Sequence, residues 1–243
     1  MTNRASAFSW EALRHRWRRW VRPAWLLGTN RRKPLSPIWG FDRGTALDRY
    51  YIERFVADHR NDIRGRVLEV NDPRYTTKYG TGVERGDVLD VDPTNPLATI
   101  VADLSAANPI PANTFDCFIL TQTLQFIPDV PAALAHVHRI LRPGGVLLAT
   151  VPAVSRLAPH YGPARDYWRF TPAGCRELLY PVFGAENLTV SSYGNVRTAC
   201  AFLHGLAWEE LPRGVLEHHD EYFPVIVGVH GIKRAPHGGS GIS

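Results

Sequence analysis

Two acidic side chains, Asp92 and Asp103, follow short apolar runs at the predicted ends of strands. A carboxylate accepts hydrogen bonds from the hydroxyl and amino groups of a ligand. Parallel strands end at one edge of their sheet, where such sheets open a ligand-binding crevice. These acids are therefore candidates for binding a polar small molecule. Asp90 is an alternative to Asp92, because alternate residues of a strand share a side, and a solvated loop acid is the structural alternative for either.

A polar loop at residues 153–170 holds a second group of candidates. His160 is the candidate catalytic residue, because an imidazole titrates near neutral pH and can deprotonate a hydroxyl group. Arginine and aromatic side chains nearby suit a sugar or a phosphorylated sugar. They are Tyr161, Arg165, Tyr167 and Arg169. The alternative is structural, with Tyr167 and Trp168 packing the loop down and Arg169 paired with an acid.

We predict no metal site. His218, His219, Asp220 and Glu221 are consecutive, so their side chains point in different directions and form a solvated cluster. The three cysteines lie far apart without a CxxC pair, which is untypical of a disulfide framework or a zinc site. A reducing compartment, and hence a cytoplasmic location that includes peripheral attachment to a membrane, is the expectation.

Short apolar runs alternate with helical patterns along the chain. Strands are predicted at residues 66–70, 87–91, 99–104, 115–120, 146–151, 187–193 and 224–233. Helices are predicted at residues 41–60, 129–141, 171–180 and 196–211. Asp129 and Thr171 each precede a proline, which is typical of a helix cap and first turn. The alternation predicts an α/β fold with a mostly parallel sheet and helices on both faces.

Charge separates an N-terminal arm from the rest. Residues 1–33 hold nine Lys/Arg and one acid, Glu11, a net charge of +8, whereas the remainder holds 19 basic and 22 acidic residues. Because that remainder is mildly acidic, we expect no nucleic-acid partner. We divide the chain into an arm and linker at residues 1–40, a domain at 41–234, and a disordered Gly/Ser-rich tail at 235–243.

The arm contains a basic amphipathic pattern over residues 8–25. Its apolar side chains fall on one helical face: Trp10, Leu13, Trp17, Trp20 and Val21. Arginines surround that face, a composition suited to an anionic membrane surface. The alternatives are docking on the chain's own domain or on a partner, a presequence, or a misassigned start codon.

Residues 113–152, NTFDCFILTQTLQFIPDVPAALAHVHRILRPGGVLLATVP, resemble the fourth to fifth strands of class I S-adenosylmethionine (SAM)-dependent methyltransferases of the type 11 kind. The earlier GRVLEV is similar to their first strand, and the resemblance covers about residues 65–180. It implies a Rossmann-like, doubly wound sheet of seven strands. Two further segments, WGFDRGTALDRYYIERF and DYWRFTP, resemble methyltransferase-like proteins often tied to bacterial glycan or cell-surface synthesis.

The resemblance implies SAM as cofactor. The cofactor-binding residues it assigns are Glu69, Asn71, Asp92, Asp103, Leu104 and Thr121. Asp92 lies at a typical offset from the first strand, about 25 residues, for the acid that binds the ribose. Asp103 and the Leu104 amide match the adenine contacts. Thr121 ends the fourth strand and faces the crevice.

The sequence departs from the family at three places. Residues 71–76 stand where the family has a glycine-rich loop, and Pro73 lacks an N–H donor there. Arg74 and Tyr75 are expected to crowd the place of the SAM carboxylate, or Arg74 to bind it. Only residues 93–98 separate Asp92 from the third strand, so a helix is lost. Gln125-Phe126 replaces Glu-His of many relatives and offers no general base.

Two functions are compatible with these features. The first is SAM-dependent O-methylation of a small or glycan-linked acceptor. The second is a non-catalytic, methyltransferase-like accessory module, at a membrane surface or for a glycosyltransferase. The missing glycines, the shortened crossover and the basic arm favour the second. A nicotinamide oxidoreductase also wants the glycine-rich turn and lacks the support of residues 113–152.

Overall fold

The computed structural model describes residues 13–18, 20–21, 32–106, 109–159 and 162–234. The chain folds into two compact units. The first unit takes in Met1–Glu53, Ala153–Arg156 and Ser192–Ile226, and the second takes in Arg54–Pro152, Leu157–Ser191 and Val227–Ser243.

Seven strands form one sheet in the order β3-β2-β1-β4-β5-β7-β6. They are β1 Gly65–Val70, β2 Val83–Asp90, β3 Ile100–Val101, β4 Phe115–Thr121, β5 Leu141–Pro152, β6 Leu188–Tyr193 and β7 Ile226–Ile232. The four ladders from β3 to β5 are parallel. The order reverses direction between β1 and β4, which is the topological switch point of a doubly wound sheet. The predicted α/β fold is confirmed.

Besides the helical residues 13–18 and 20–21, six α-helices accompany the sheet in the described part of the chain. They are α1 Leu47–Asp58, α2 Arg74–Tyr79, α3 Val130–Ile140, α4 Pro172–Phe183, α5 Val196–Leu203 and α6 Arg213–Glu217. The carboxylate of Asp129 accepts the Ala132 amide 3.0 Å away, and the hydroxyl of Thr171 accepts the Gly174 amide at the same distance. Both predicted caps therefore begin their helices.

The central strands are buried because parallel sheets are covered on their faces. Val67 and Leu68 of β1 are fully buried, and so is the run from Cys117 to Leu120 in β4. Val67 pairs with Cys117 in register, and Leu68 pairs with Phe118. Burial raises the pKa of the Cys117 thiol, which leaves it protonated and inert. This apolar centre fixes the edge at which β1 and β4 end.

The two connections on the β1 side of the switch point are short. Between β1 and β2 the only helix is the six-residue α2, and residues 91–99 between β2 and β3 contain no helix. The predicted loss of the second helix is confirmed. In contrast, full helices of 11 and 12 residues follow β4 and β5.

Several element boundaries differ from the sequence prediction. Residues 71–76 were expected to be a loop, but α2 begins at Arg74. The third strand shrinks from residues 99–104 to two residues, and β2 ends at Asp90 rather than at residue 91. The helix predicted at 196–211 ends at Leu203, where Gly205 with a φ of 72° turns the chain.

The first unit is organised by a buried ion pair between Arg43 and Glu210. The two side chains are 1% and 5% exposed, and the guanidinium makes two hydrogen bonds to the carboxylate, of 2.5 and 2.9 Å. The same carboxylate accepts the amide of Ala207 at 3.0 Å. This pair holds the segment before α1 against the segment around Trp208. No helix in the described ranges is long and apolar enough to cross a membrane.

Breaking this pair on one side is expected to be costly. Arg43→Met leaves the Glu210 carboxylate buried without its counter-ion, so we expect the free energy of unfolding to fall by about 3–5 kcal/mol. The double variant Arg43→Met/Glu210→Gln removes both charges and keeps an acceptor for Ala207, so it should lose much less. Urea unfolding of the three proteins measures this. A double variant as unstable as Arg43→Met would contradict the reading.

Candidate functional site

The carboxyl ends of β1 and β4 flank the switch point, and each is followed by a residue in strained backbone geometry. Asn71 has a φ of 68° and Gln122 a φ of 49°, backbone values that residues other than glycine rarely adopt. The amide of Gln122 donates to the carbonyl of Thr150 at the end of β5, at 2.7 Å. Strain of this kind concentrates at ligand sites, so the pair marks the crevice.

Glu69 shapes the turn after β1. Its carboxylate is 1% exposed and accepts the backbone amides of Tyr75 at 2.9 Å and Thr76 at 2.7 Å. These amides belong to the first turn of α2, where no partner is available within the helix. Burial raises the pKa of Glu69, although these amides and Thr76 lower it in part. Glu69 therefore acts as a structural element that caps the first turn of α2.

The expected crowding by Arg74 and Tyr75 does not occur through Tyr75. Its ring is buried, 2% exposed, and stacks against Tyr79 with centroids 6.4 Å apart. Arg74 is exposed and forms an ion pair with Asp72, with hydrogen bonds of 2.6 and 2.8 Å. The hydrogen bond to Asp72 raises the pKa of Arg74. The guanidinium thus stays close to the turn, with its charge neutralised by its neighbour.

An amide side chain from the shortened connection links β2 to the turn after β1. Nδ2 of Asn95 donates to the carbonyl of Asn71 at 2.8 Å and to the carboxylate of Asp90 at 2.6 Å. The other oxygen of Asp90 accepts the amide of Asp92 at 3.0 Å. Asp90, the alternative ribose acid, is therefore largely occupied. The sequence prediction missed Asn95, whose only signal is its position in a loop rich in turn-forming residues.

Asp92 remains accessible. It is exposed, and one carboxylate oxygen accepts the amide and the hydroxyl of Thr94 at 2.8 and 2.7 Å. These hydrogen bonds lower the pKa of Asp92, so the group is ionised at neutral pH. Its second oxygen can accept ligand hydroxyls. Between the two candidate acids after β2, the geometry favours Asp92.

Asp103 has the same arrangement after β3. Its Oδ1 accepts the amide of Ser105 at 2.9 Å and the Ser105 hydroxyl at 2.7 Å, and the residue is exposed. Leu104 is 5% exposed and begins a short 3₁₀ turn, whose first amide has no partner within the turn. An exposed acceptor thus stands beside an available backbone donor. That pair suits the amino group and ring nitrogen of a purine.

Residues after β4 form a polar floor for the crevice. Thr121 is half-buried, and its carbonyl accepts the Thr123 hydroxyl at 3.0 Å. Gln125 is 5% exposed, and its Nε2 donates to the carbonyl of Gln122 at 2.9 Å. Because the Gln122 carbonyl needs a donor, Nε2 of Gln125 must point toward it. Oε1 of Gln125 then has no hydrogen-bond partner among the described residues. A buried unpaired acceptor is unfavourable unless a ligand or water meets it.

The loop after β5 is held together by Asp166. The side chain of Asp166 accepts the amide of Ala158 at 2.8 Å and forms an ion pair of 2.6 Å with Arg169. Nε1 of Trp168 donates to the carbonyl of Ile127 at 2.9 Å, and the amide of Tyr167 donates to the carbonyl of Gln125. The structural reading of Arg169 is therefore correct. His160, the candidate base, lies outside the described residues.

A cavity of about 740 Å³ opens where α3 and α4 begin, beyond the carboxyl ends of β4 and β5. Its lining is mostly apolar, and it includes Pro128, Pro131, Trp168, Phe170 and Leu178. This volume falls within the usual range for small-molecule sites. The indole of Trp168 is 44% exposed, while its hydrogen bond to Ile127 fixes the ring. The sequence predicts for Trp168 only a packing role within its loop.

Of the six residues assigned to the cofactor, all lie at the carboxyl ends of four adjacent strands. Glu69 lies near the end of β1 and Asn71 follows it, Asp92 follows β2, the Asp103-Leu104 pair follows β3, and Thr121 ends β4. The histidines near the C-terminus take no part: Nε2 of His219 bonds the Ser192 hydroxyl at 3.0 Å. The described residues contain no group of three or more ligands able to hold a metal ion.

A family model matches the part of the chain that holds four of the six candidate residues. Residues 80–149 match the family model of the methyltransferase domain. This segment runs from the end of α2 into β5 and contains Asp92, Asp103, Leu104 and Thr121. Over residues 80–149 the chain is therefore similar to the methyltransferase domain, which supports a fold of the class I SAM-dependent methyltransferase type.

Solved structures support the methyltransferase fold. A Haloferax volcanii methyltransferase, seen in complex with its activator Trm112, is 19% identical, with a TM-score of 0.51 over 77% of this chain and 92% of that chain. A Haemonchus contortus phosphoethanolamine N-methyltransferase, in complex with phosphomonomethylethanolamine and S-adenosylhomocysteine, is 13% identical, with a TM-score of 0.52 over 87% of this chain and 56% of that chain.

Among curated proteins, the mitochondrial arginine-hydroxylase NDUFAF5 of Rattus norvegicus is 26% identical over 98 residues. The match covers 40% of this chain and only 25% of that protein. The relation therefore supports shared ancestry of the domain, and the hydroxylase activity is a property of that relative.

The candidate site residues suit one half of SAM better than the other. Asp92 and Asp103 offer exposed carboxylates of the kind that bind the adenosine half, and Leu104 beside Asp103 is buried. At the methionine half, Asn71 supplies the positive φ of a family glycine, but Pro73 lacks an amide proton and Arg74 is paired with Asp72. The residues present are thus compatible with an adenosine group, whereas those at the amino-acid end depart from the family pattern.

Replacing Asp166 is expected to loosen the loop that carries His160. Although burial raises the pKa of Asp166, the hydrogen bonds from Arg169 and Ala158 lower it, and the net shift is downward. A depressed folded pKa stabilises the native state above the unfolded pKa, and this stabilisation is lost as the pH falls through the folded value. Asp166→Asn should therefore cost about 1–3 kcal/mol at neutral pH.

Thermal unfolding of the native chain and of Asp166→Asn at a series of pH values measures this difference in stability. The gap between the native chain and Asp166→Asn should narrow below about pH 4, where the carboxylate of the unfolded chain takes up a proton. Arg165→Gln, an exposed neighbour, serves as the control and should change neither the stability nor its pH profile. A gap that persisted unchanged into acid would contradict the assigned role.

Proposed function

We propose that this chain binds SAM and transfers its methyl group to a hydroxyl of a small or glycan-linked acceptor. The observation that carries the proposal is the pair of exposed acids, Asp92 and Asp103, on neighbouring strands beside the switch point. Each is ordered by a hydroxyl residue two positions later, so each keeps a fixed, available oxygen. The likeness of residues 80–149 to the methyltransferase domain supports the reaction class, and these two groups support the ligand.

Asp92 and Asp103 have separate roles in this proposal. Asp92 accepts hydrogen bonds from the ribose hydroxyls, and its ionised state strengthens them. Asp103 accepts from the adenine amino group while the Leu104 amide donates to the ring. Asn71 and Thr121 border the crevice between them, and Glu69 acts indirectly by holding the turn. This set binds and orients, which is the protein's main share of the catalysis.

Bound SAM supplies an activated methyl group on a sulfonium. The acceptor oxygen must lose its proton as it gains the methyl group, and His160 is proposed to take that proton. Gln125 stands where many relatives have an acid and cannot act as a base. Its unpaired Oε1 can instead accept a hydrogen bond from the acceptor or the cofactor, which would satisfy a buried group.

The acceptor is proposed to use the apolar cavity at the start of α3 and α4. The fixed indole of Trp168 offers a flat surface against which a sugar ring or another flat group can pack. Pro128, Pro131 and Phe170 continue that surface. The likeness of residues 39–55 to glycan-associated methyltransferase-like proteins points to a glycan-linked acceptor. A small aromatic acceptor would use the same surface.

The methionine end of SAM requires a change at the turn after β1. Arg74 is the cation nearest this turn, and it is held by Asp72 within the same turn. We propose that Arg74 moves from Asp72 to the carboxylate of SAM. The ion pair is exposed, and exposed pairs contribute little stability, so this exchange has a low cost.

The second candidate is an accessory module without catalysis. Three observations favour it: the turn after β1 has no glycine, Asn95 fills the gap between β1 and β2, and Asp90 is occupied by Asn95. A relative of similar fold forms a complex with an activator protein, and a partial sequence match is named as an arginine-hydroxylase, so both a partner and a role other than methylation are compatible with these likenesses. In this case SAM does not bind, and the fold serves another protein.

Calorimetry with S-adenosylhomocysteine separates the two candidates. The native chain is expected to bind, and Asp92→Ala should weaken binding by about tenfold or more, since a charged hydrogen bond to the ribose is lost. Asp58→Ala, an exposed acid in α1, is the matched control and should bind as the native chain does.

The outcomes point in different directions. Binding that is weakened only in Asp92→Ala supports the methyltransferase. Absence of binding by a well-folded native chain at millimolar ligand would refute it and favour the accessory module. Equal binding by all three proteins would remove Asp92 from the site.

A further inference from the structure

The arm helix, defined as residues 13–18 and 20–21, leaves its apolar face uncovered within the first unit. Leu13 is 52% exposed, Trp17 61%, Trp20 81% and Val21 47%. At 3.6 residues per turn, these four side chains share one face. A helix in a folded protein normally buries such a face. The uncovered face therefore calls for a partner.

The opposite side of the arm helix is the side that touches the unit. His15 and Arg18 lie one turn apart and are the two less exposed side chains of the described helix. Nη1 of Arg18 donates to the carboxylate of Asp42 at 2.7 Å, and that carboxylate belongs to a side chain only 13% exposed. The polar side of the helix thus contacts the unit, and the apolar face stays largely exposed.

The attachment is loose. A cavity of about 220 Å³ lies beside the helix, lined in part by Trp17, Val21, Leu35 and Asp42. An intramolecular docking site for the apolar face would be expected to exclude such a space. The described contact of the arm helix with the unit is the ion pair between Arg18 and Asp42, while Trp17 and Trp20 stay 61% and 81% exposed. An apolar face docked on its own domain would be more buried than this, although Trp17 and Val21 border the cavity.

Charge determines which partner suits this face. Residues 1–33 carry nine Lys/Arg against the single acid Glu11, and Arg14 and Arg16 are exposed on the arm helix itself. An apolar face rich in tryptophan and flanked by arginine suits an anionic lipid surface: the indoles enter the headgroup region, and the arginines meet lipid phosphates and carboxylates. A protein groove would need an acidic rim to match.

We propose that the arm helix is a peripheral membrane anchor that binds anionic lipid bilayers through Leu13, Trp17, Trp20 and Val21. The remaining residues carry more acid than base, 22 against 19, so attraction to the bilayer comes from the arm alone. The side attached through Arg18 and Asp42 faces away from the lipid. The proposal is independent of SAM binding, because none of its residues belongs to the candidate site.

Vesicle co-sedimentation of the full chain tests this anchor. The probes are phosphatidylcholine vesicles with and without phosphatidylserine. The native chain is expected to sediment with the anionic vesicles and to be released by salt. Trp17→Ser/Trp20→Ser should lower the partition coefficient about tenfold or more. Arg14→Glu/Arg16→Glu should abolish the preference for phosphatidylserine.

Tyr222→Ser is the matched control, because Tyr222 is an exposed aromatic residue of the same unit, 79% exposed, outside the arm. It should bind vesicles as the native chain does. Since the arm side chains are exposed, all variants should keep the native melting temperature, so lost binding is not lost folding.

Two results would overturn the proposal. One is equal sedimentation of the native chain and Trp17→Ser/Trp20→Ser with anionic vesicles. The other is absence of vesicle binding by the native chain. If that absence comes with a dimer, seen by sedimentation velocity and lost in the tryptophan variant, a second copy of the chain covers the face instead.

Discussion

The hydrogen bonds from two backbone amides to the buried carboxylate of Glu69 determine how the chain leaves its first strand. A turn without glycine has to find acceptors for the first amides of the helix that follows it, and Glu69 supplies both from within β1. As a result α2 can begin at Arg74, immediately after Pro73, and Tyr75 is drawn into the core. The position of Asn71, and hence the border of the crevice, depends on this turn.

The short connection between β2 and β3 completes the same construction. Without a helix there, Asn95 comes close enough to tie Asp90 to the carbonyl of Asn71. Because Asp90 accepts a hydrogen bond from Asn95, Asp92 is the exposed acid after β2. The shortened connection and the exposure of Asp92 are therefore linked, because Asn95, which fills the gap, also occupies Asp90.

Sequence alone predicted the frame of the molecule better than its details. The buried strands and the two capped helices were predictable because apolar runs, Asp129 and Thr171 carry local signals. The turn after β1 was not, since the amides of α2 are satisfied by a carboxylate six and seven residues earlier. The Asn95 bridge spans 24 residues to Asn71, and the Gln125 contact with the loop after β5 spans about forty. Contacts at such separations leave no periodic trace in a sequence.

The edge strand β3 is only two residues long, which limits its pairing with strands of other molecules. An edge strand presents unpaired amides and carbonyls that can recruit a strand from another molecule. Here the edge beside β2 offers only Ile100 and Val101 before the chain turns into the Asp103–Ser105 hydrogen bonds. The truncation that removed a helix from this flank has also shortened the edge it would have protected. The edge strand β3 itself therefore offers only a short template for a strand from another molecule.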